Sequence, residues 1–386
     1  MSIPVTHILH DYSRTNNTGP SQVVRQLTGC LNRRGVQSTI LTVGAAAMEA
    51  PENIGLREFP LRPGGRWWRY PAGMAAYLSD LARRPGQVFH IHGVWGAPQW
   101  LAARAATRLG VPAILTIHGM LEPWHWMDGN LRRLKKLVYW YTVAYPAFRR
   151  LSVIQAITPL EREHLVQHFP HQRVEVIPNA VNLEEVDQVL STPGLDAPLV
   201  TEAPYLLFLG RLHAKKGIDL LIAAFARTRR SRSFRLLIVG PTDNPGYTAR
   251  LRSQIQALGL EDCVTFLGPV FGPQKLRLYR NAWAFCAPSH SEAIGLVNLE
   301  AAAAGTPVIT THETGLYDWE EGGGLLIHPR VEELCRALEQ IFSWSESERQ
   351  ERGRTLRRLV ERRYSLEAVG PQWQALYGEL ARGERG

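Results

Sequence analysis

Short runs of β-branched and other apolar residues alternate with helical patterns along the first 180 residues. The apolar runs predict strands at Val5–His10, Ser38–Val43, Val88–His92, Ala113–His118, Val153–Thr158 and Arg173–Ile177. Helical spacing predicts helices at Ser21–Arg34, at Ala97–Leu109 and from about Leu131. Strands that alternate with helices indicate βαβ units and a parallel sheet. The apolar run in FHIHGVW fits a strand that is buried on both faces of such a sheet.

The same alternation begins again after a break. The segment IPNAVN is followed by an acidic, Pro- and Gly-containing stretch, Leu183–Pro204, which we interpret as a linker. Strands are predicted beyond it at Tyr205–Leu209, Arg235–Val239, Val264–Leu267, Ala282–Ala287, Pro307–Thr311 and Gly324–His328, and helices at Gly217–Thr228, Tyr247–Leu258 and Leu296–Ala304. The pattern therefore predicts an α/β fold of two doubly wound, Rossmann-like domains, residues 1–180 and 181–363. We expect them to face each other across a cleft that holds the ligand.

Length and composition agree with this prediction. A chain of 386 residues is too long for one hydrophobic core, and its 45% hydrophobic and 20% charged residues exclude a disordered chain. Its four cysteines form no C-x-x-C pair, which favours a reducing compartment. The N-terminal segment MSIPVTHILHDYS does not resemble a signal peptide, and the longest uncharged stretch is too polar for a bilayer span. We therefore expect a cytoplasmic protein.

The positive charge is concentrated in the first half of the chain. Residues 1–180 carry 20 Lys and Arg against 10 Asp and Glu, whereas the remainder carries 24 against 25. This half should favour anionic partners, or else present an ordinary basic surface. Within it, LRRLKKLVYWYTVAYPAFRR predicts a basic amphipathic helix with Leu131, Leu134, Val138, Tyr141 and Tyr145 in one row. That row suits either an anionic membrane surface or docking onto the domain's own sheet.

The segment SHSEAIGLVNLEAAAAGTPVIT carries the strongest chemical signal. Glu292 lies in a polar loop after a strand, Gly295 permits a tight turn, and a helix begins at about the next residue. The amides of Gly295, Leu296 and Val297 would then lack intrahelical partners and could hold an anion. Glu300 lies on the first turns of that helix, so two carboxylates flank one anion site. A helix-capping glutamate beside a surface glutamate is the plainer alternative.

The segment GRLHAKKG follows the first strand of the second domain directly. Arg211 and Lys216 leave the carboxyl end of that strand, where a phosphate would lie in a doubly wound sheet. Arginine offers a planar fork to phosphate oxygens and lysine offers a point charge. Two solvated basic side chains on a loop are the alternative.

Two loops of the first domain could also reach a ligand. Gly19 in NNTGPS allows a close backbone approach where a helix begins, although the loop is not G-x-G-x-x-G and so disfavours NAD. His118 in TIHGM ends a strand and could donate to a sugar hydroxyl or a phosphate, or it could be a satisfied core histidine. His90 and His92 alternate on one strand without an evident third ligand, and no Asp-x-Asp motif occurs. We therefore expect no metal and no other cofactor.

Together these segments resemble a GT-B glycosyltransferase of the large retaining family 4 over most of the chain. SEAIGLVNLEAAAAGTPVI resembles the family's E-x7-E signature, with Glu292 and Glu300 eight positions apart. GRLHAKKG resembles its G-R-x4-K-G motif, and VIPNAVN resembles its interdomain V-I-P-N-G-V segment. The chain departs from the family at Ala180, where glycine is usual, and at Ala293 and Ile294, which replace Gly and Phe.

The resemblance implies that the second domain binds a nucleotide sugar, such as UDP-glucose, and that the first binds the acceptor. Arg211 and Lys216 would contact the diphosphate, Glu300 the ribose and Glu292 the transferred sugar. His118 would also contact the sugar. Gly19 would approach the diphosphate. The base would lie along Leu267, Gly268 and Val270, and Ile294, Gly295, Leu296 and Val297 would complete the site. The helix at about residues 364–386 would pack back on the first domain.

The expected activity is retaining transfer of a hexose to a saccharide or lipid-linked saccharide in polysaccharide, exopolysaccharide or other glycan biosynthesis. His118, Arg211, Lys216 and Glu292 would be its catalytic residues, and the first domain would allow peripheral contact with the inner face of an anionic membrane. One alternative is a nucleotide-sugar 2-epimerase on the same fold. The other is a basic nucleic-acid-binding protein, although the basic half has no recognisable nucleic-acid motif.

Overall fold

The structure is a computed structural model, and it describes residues 2–12, 19–44, 48–63, 68–127, 129–192, 203–228 and 233–383. The chain divides into two units. The first contains the residues up to Ala180 together with those from Leu366 onward, and the second is Val181–Ser365. Among the described residues, no helix has both the length and the apolar character needed to cross a bilayer.

The first unit is built on a parallel sheet. Its strands, within the described ranges, are β1 (Ile3–Ile8), β2 (Val36–Val43), β3 (Gly55–Phe59), β4 (Val88–His92), β5 (Ala113–Thr116), β6 (Val153–Ala156) and β7 (Val174–Val176). Its helices up to Ala180 are α1 (Gly19–Asn32), α2 (Met74–Leu81), α3 (Ala97–Leu109), α4 (Asn130–Tyr139), α5 (Tyr145–Phe148) and α6 (Pro159–His168), with a 3-10 turn at Pro123–Trp126 and a π turn at Trp140–Ala144. The strand order is β3-β2-β1-β4-β5-β6-β7. Every residue of β4 is buried, as its continuous apolar run predicts.

The second unit repeats this plan. Its described strands are β8 (Tyr205–Leu209), β9 (Arg235–Val239), β10 (Val264–Gly268), β11 (Ala284–Ala287), β12 (Val308–Thr311) and β13 (Leu325–Ile327). Its described helices are α7 (Leu183–Leu190), α8 (Ile218–Arg227), α9 (Pro245–Ala257), α10 (Pro273–Asn281), α11 (Leu296–Ala303), α12 (Val331–Ser343) and α13 (Glu346–Arg363). All strand pairs are parallel, in the order β10-β9-β8-β11-β12-β13. The predicted pair of doubly wound sheets is confirmed.

The last helix, α14 (Leu366–Arg382), belongs to the first unit. It packs against α1 and β1, with Trp373 and Tyr377 buried against the sheet. The ring of Trp373 lies 4.8 Å from that of His90, and the hydroxyl of Tyr377 lies 2.6 Å from Nδ1 of the same imidazole. This helix therefore closes one face of the first sheet over β4.

Three expectations from the pattern are corrected. The interpretation of residues 183–204 as a linker is wrong at its start, which forms α7, while residues 193–202 lie outside the described ranges. The sequence analysis did not foresee β3 or α2. Several strands also end earlier than predicted, so that Thr158 caps α6 and His118 lies in the loop after β5.

Candidate active site

The loops that follow β8 and β11 leave neighbouring strands at the centre of the second sheet. β8 pairs with β9 on one side and with β11 on the other, so the strand order reverses at this point. In doubly wound sheets, loops diverge where the order reverses and leave a crevice beyond the strand ends. The GRLHAKKG loop follows β8, and the loop containing Glu292 follows β11. The two strongest sequence motifs therefore share one edge of one sheet.

A close backbone contact joins these two loops. Gly217 has a φ of +64°, and a Cβ atom at this residue would overlap the carbonyl oxygen of Pro288. The N–H of His290 donates to the carbonyl oxygen of Lys215 at 2.8 Å. Only glycine combines a positive φ at low cost with such a close approach. Gly217 therefore fixes the position of Lys216 against the loop that carries Glu292.

Lys216 and Glu292 form an ion pair at this edge. Nζ of Lys216 donates to Oε2 of Glu292, and the two side chains are only 17% and 19% exposed. Burial alone would raise the pKa of Glu292, but the positive charges of Lys216, Lys215 and Arg211 hold it below its ordinary value. At neutral pH the site therefore holds an ionised carboxylate among several cations.

Arg211 lies in the same loop and has a different partner. Its Nη1 donates to Oδ2 of Asp243 at 2.7 Å, and its side chain is 55% exposed. Asp243, which follows β9, was not among the predicted site residues. The guanidinium is held at the strand edge by a weak, solvent-screened pair, which an incoming phosphate can replace at little cost.

Helix α11 begins in a strained turn. Ile294 has a φ of +136° and Gly295 a φ of +64°. A positive φ at a β-branched residue is a true outlier, and such strain is often stored at functional sites. The side chain of Asn298 donates to the carbonyl oxygen of Ile294 at 3.2 Å and holds the turn. The first-turn N–H groups of Leu296 and Val297 have no intrahelical acceptors, so this helix end favours an anion.

Glu300 lies on α11, beyond this first turn. Its carboxylate accepts from Nζ of Lys275 at 2.6 Å and from the hydroxyl of Tyr279 at 3.2 Å. Both partners lie on α10 and were not foreseen. Each of the two glutamates thus has a lysine of its own as a partner.

The segment expected to contact the base lies at the end of β10. Leu267, Gly268 and Val270 are half-buried. The carbonyl oxygen of Gly268 accepts from the N–H of Gly240 at 2.8 Å, which ties the ends of β9 and β10 together. The segment therefore lies along the same carboxyl edge of the sheet as Lys216.

In the first unit, His118 lies in a turn held by a buried glutamate. His118 has a φ of +56°, and the N–H of Gly119 donates to Oε1 of Glu161 at 2.7 Å. The N–H of Ile157 donates to Oε2 of the same carboxylate at 2.6 Å. Burial raises the pKa of Glu161 to about 7 despite these bonds. The sequence signal that could have drawn attention to Glu161 is the spacing T-x-x-E from Thr158, which is typical of a helix N-terminus.

A third histidine joins His90 and His92. His7 on β1 brings one ring nitrogen of each of the three within 4.8 Å of the others, a spacing that would suit a metal ion. However, Nδ1 of His90 lies 2.6 Å from the hydroxyl of Tyr377 and its Nε2 lies 2.7 Å from the hydroxyl of Thr116. Both nitrogens of His90 are already used, so the cluster is a hydrogen-bonded network and fits a metal poorly.

His92 and His7 extend this network from His118 into the core. Nε2 of His118 lies 3.0 Å from Nδ1 of His92, and Nε2 of His92 lies 3.1 Å from Nδ1 of His7. Burial lowers the pKa of His7 and of His118 to about 3, and the pKa of His92 is also lowered, mainly by burial. These imidazoles are therefore neutral at physiological pH.

The remaining predicted site residue, Gly19, is the first residue of α1 and is exposed. No atom of another part of the described chain lies within 4 Å of the position a Cβ would take there. Asn16, Asn17 and Thr18 of the predicted loop lie outside the described residues.

The apolar row of the amphipathic segment faces solvent. Trp140 is buried and anchors the opposite face, whereas four members of the row are between 54% and 66% exposed. They are Leu131, Leu134, Val138 and Tyr141. The interpretation that this row docks onto the domain's own sheet is therefore wrong for these four residues. Tyr145 alone in the row is half-buried.

Both halves of the chain match the sequence profiles of known protein families. The sequence profile of the family described as Glycosyltransferase Family 4 matches residues 17–185, and that described as Glycosyl transferases group 1 matches residues 196–355. A D-inositol 3-phosphate glycosyltransferase of Arthrobacter sp. (strain FB24) is 32% identical over 330 residues, which cover 77% of this chain and 75% of that protein.

Solved structures show similar folds. Sucrose-phosphate synthase from Thermosynechococcus elongatus aligns with a TM-score of 0.78 at 22% identity, over 99% of this chain and 100% of that one. Anabaena HepE in complex with UDP and glucose aligns with a TM-score of 0.72 at 16% identity, over 98% and 100%.

Proposed function

We infer the chemistry from one premise: this chain belongs to glycosyltransferase family 4, has the GT-B fold, and is therefore a glycosyltransferase. On these points the resemblance seen in the sequence is confirmed. We propose that the enzyme transfers a hexose from a UDP-sugar, such as UDP-glucose, to a saccharide or lipid-linked saccharide in polysaccharide or other glycan biosynthesis. The observation that carries this proposal is the pairing of Lys216 with Glu292 beside the first turn of α11.

The cations at this strand edge support a role in binding the diphosphate. Lys216 supplies a partly buried charge, Arg211 a planar fork, and the amides of Leu296 and Val297 a helix end. When the bond between sugar and diphosphate breaks, negative charge collects on the departing phosphate. Donors already aimed at that charge lower the barrier. In this proposal they do so without a metal ion.

The two carboxylates support recognition of hydroxyl groups. Glu292 would accept hydrogen bonds from the transferred sugar, and Glu300 from the ribose. The half-buried residues Leu267, Gly268 and Val270 would flank the base. UDP is the nucleotide that we propose because HepE, which shares the fold, has been solved with UDP and glucose.

We propose that transfer retains the anomeric configuration by front-face attack. The acceptor hydroxyl forms its bond to the anomeric carbon on the side from which the diphosphate leaves. Its proton passes to the departing phosphate oxygen, so the reaction needs no separate base. His118 would donate a hydrogen bond to the transferred sugar or to the phosphate, because a neutral imidazole carries one N–H.

A panel assay tests this function. Nucleotides and nucleotide sugars are first ranked by the melting temperature of the enzyme, since a ligand that binds only the folded state raises it. UDP release from the best donor is then measured with saccharide and lipid-linked acceptors in EDTA, and the product linkage is read by NMR. Acceptor-dependent release with retention supports the proposal. Absence of UDP binding, an inverted product, or conversion of UDP-GlcNAc without an acceptor, as a 2-epimerase would give, contradicts it.

We also propose that the first unit contacts the cytoplasmic face of an anionic membrane through α4. The exposed side chains of Leu131, Leu134 and Val138 on α4, and of Tyr141 in the π turn that follows it, supply apolar area. Residues 129–150 hold six Lys or Arg and no Asp or Glu. That charge repels a second copy of the same segment and attracts anionic headgroups, each cation contributing about 1 kcal/mol near the surface. A membrane therefore suits this face better than self-association.

Sedimentation with vesicles tests the membrane contact. We expect binding to phosphatidylcholine vesicles that contain phosphatidylglycerol and little binding to phosphatidylcholine alone. The double substitution Leu134→Ser/Val138→Ser should release the enzyme. Leu258→Ser, which changes an exposed leucine of the second unit, is the matched control and should not. Equal binding to both vesicles, or retention of the double variant, would rule out this surface.

A further inference from the structure

Three imidazoles, those of His118, His92 and His7, form a hydrogen-bonded chain that runs from the turn after β5 into the core of the first unit. His118 contacts His92 through Nε2 and Nδ1 at 3.0 Å, and His92 contacts His7 through Nε2 and Nδ1 at 3.1 Å. His7 and His92 are 0% and 2% exposed, whereas His118 is half-buried. Both ring nitrogens of His92 are therefore engaged in hydrogen bonds to the other two histidines.

While all three histidines are neutral, the imidazole chain can be protonated in only two ways. A neutral imidazole has one N–H and one bare nitrogen, so each contact needs one donor and one acceptor. If donation runs inward, Nε2 of His118 carries its proton and Nδ1 is bare. If donation runs outward, His7 donates to His92, His92 donates to Nε2 of His118, and Nδ1 of His118 carries the proton. The direction of donation along the imidazole chain thus decides whether Nδ1 of His118 donates or accepts a hydrogen bond.

The inner end of the chain decides between the two directions. Nε2 of His7 is buried and has no hydrogen-bond partner among the described residues. Inward donation would leave an N–H there without an acceptor, and outward donation would leave only a bare nitrogen. Buried N–H groups without an acceptor are rarer in proteins than acceptors without a donor. Outward donation is therefore favoured.

The outer end is placed to use that proton. Nδ1 of His118 makes no hydrogen bond to any residue in the described part of the chain. His118 lines a pocket together with Gln155 and Asn179. Its positive φ and the bond from Gly119 to Glu161 fix the turn that carries it. The ring is thus held from its backbone and from Nε2, with Nδ1 left for a ligand.

We propose that His92, oriented by His7, is a positioning residue that holds His118 in the tautomer with the proton on Nδ1. In this state His118 donates a hydrogen bond from Nδ1 and cannot accept one there. The proposal rests on the proposed function only for the identity of the acceptor, which is a hydroxyl of the transferred sugar or a phosphate oxygen.

The tautomer is measured without any turnover. In enzyme labelled with 15N-histidine, long-range 1H–15N correlations distinguish a protonated ring nitrogen from a bare one. The signal of His118 is identified by its loss in His118→Gln. We expect a protonated Nδ1 and a bare Nε2. A protonated Nε2 in the wild-type enzyme would overturn the proposal even if glycosyl transfer is demonstrated.

Three variants test whether the imidazole chain contributes to the rate of glycosyl transfer. His92→Leu removes the donor to His118, and His92→Asn keeps an N–H near the position of Nδ1. Tyr377→Phe removes the hydroxyl that contacts His90 but keeps the ring beside His7 and both hydrogen bonds of the imidazole chain. We expect kcat to fall about tenfold in His92→Leu, which is the contribution of one well-placed hydrogen bond. The affinity for UDP should stay unchanged. His92→Asn should recover most of kcat, and Tyr377→Phe should match the wild type.

These outcomes separate the inference from the proposed function. A fall in kcat of the same size in Tyr377→Phe would mean that the loss reflects general damage to the core, which overturns the positioning role. Wild-type kcat in a folded His92→Leu variant would overturn it as well. If no donor is turned over, the proposed function fails, while the NMR measurement still decides the tautomer of His118.

Discussion

At Glu292, burial and charge act in opposite directions on one carboxylate. Removal from water favours the protonated acid, whereas the neighbouring cations favour the anion, and the cations prevail because Lys216 is in direct contact. Glu292 is therefore ionised and already in contact with Lys216 before the donor arrives.

Replacing Lys216 by alanine should abolish most turnover. The departing diphosphate would lose one preorganised cation, and such a loss costs roughly 10²–10³ in rate. Lys215→Ala removes the same charge from the same loop and is the control, for which we expect a fall of less than about threefold. Steady-state kcat/KM values of the two variants decide the matter, and near-normal turnover in folded Lys216→Ala would show that its assigned role is wrong.

Replacing Glu300 by alanine should remove recognition of the ribose. We expect the wild type to bind UDP about tenfold or more tightly than 2′-deoxy-UDP, because hydrogen bonds to a charged group contribute about 1.5–3 kcal/mol. Glu300→Ala should bind both ligands with equal, weakened affinity. Calorimetric titration of the four combinations measures this. Full discrimination in the variant would mean that another group reads the ribose.

Among elements, the two loops at the edge of the second sheet act as one unit. Gly217 lies directly against Pro288, and the strained turn at Ile294 leads into α11. Neither loop alone would place Lys216 beside Glu292. The spacing within each motif matters because each loop must begin at the end of its strand and contact the other loop at a fixed residue.

Replacing Gly217 by alanine should damage both stability and binding. The added Cβ would overlap the carbonyl oxygen of Pro288, in addition to the strain of a positive φ. Gly110→Ala is the matched control, because Gly110 has a φ of +69° with no atom within 4 Å of the added Cβ. We expect the control to lose about 1–2 kcal/mol of stability and to keep its affinity for UDP. Gly217→Ala should lose more and should bind UDP about tenfold more weakly or worse. Equal behaviour of the two would refute the role of this contact.

The sequence predicted most strands because buried parallel strands are continuous apolar runs. β3 was missed because it lies at the sheet edge and carries Arg57 and Glu58, so its pairing with β2 depends on the fold. α7 did carry a signal that was overlooked. Asn182 accepts from the N–H of Glu185 and caps this helix, but the acidic composition was interpreted as a linker.

The site was predicted in part for similar reasons. Motifs within one loop identified Lys216 and Glu292 as candidates, because each lies beside its own strand end. Lys275 lies 25 residues from Glu300, and His7 lies 85 residues from His92. Contacts of this kind depend on strand order and helix placement, which local spacing does not encode.

For the molecule as a whole, the buried histidines of the first unit make folding sensitive to acid. His7, His90 and His92 lie on adjacent strands, and burial is the main reason that the pKa of each is lowered. In the unfolded chain an imidazole takes up a proton near pH 6.5, whereas in the folded chain it stays neutral to much lower pH. Below about pH 6.5 the unfolded state therefore binds more protons, and acid favours unfolding.

We expect the melting temperature to fall as the pH is lowered from about 7 to about 5.5. Each buried imidazole removes up to about 1.4 kcal/mol of stability per pH unit in this range. Glu161, with its pKa raised by burial to about 7, opposes one part of this loss, because the folded state then binds the extra proton. His7→Asn should flatten the pH dependence, because it removes one of the buried imidazoles. A melting temperature independent of pH over this range would contradict the buried neutral cluster.

The most direct test of the central claim is a crystal structure of the enzyme with an intact UDP-sugar, grown in the presence of EDTA. The account predicts a diphosphate in contact with Lys216, Arg211 and the first amides of α11, with the sugar hydroxyls on Glu292 and the ribose on Glu300. Density for the diphosphate elsewhere, or a donor that binds only when a divalent metal ion is added back, would contradict it.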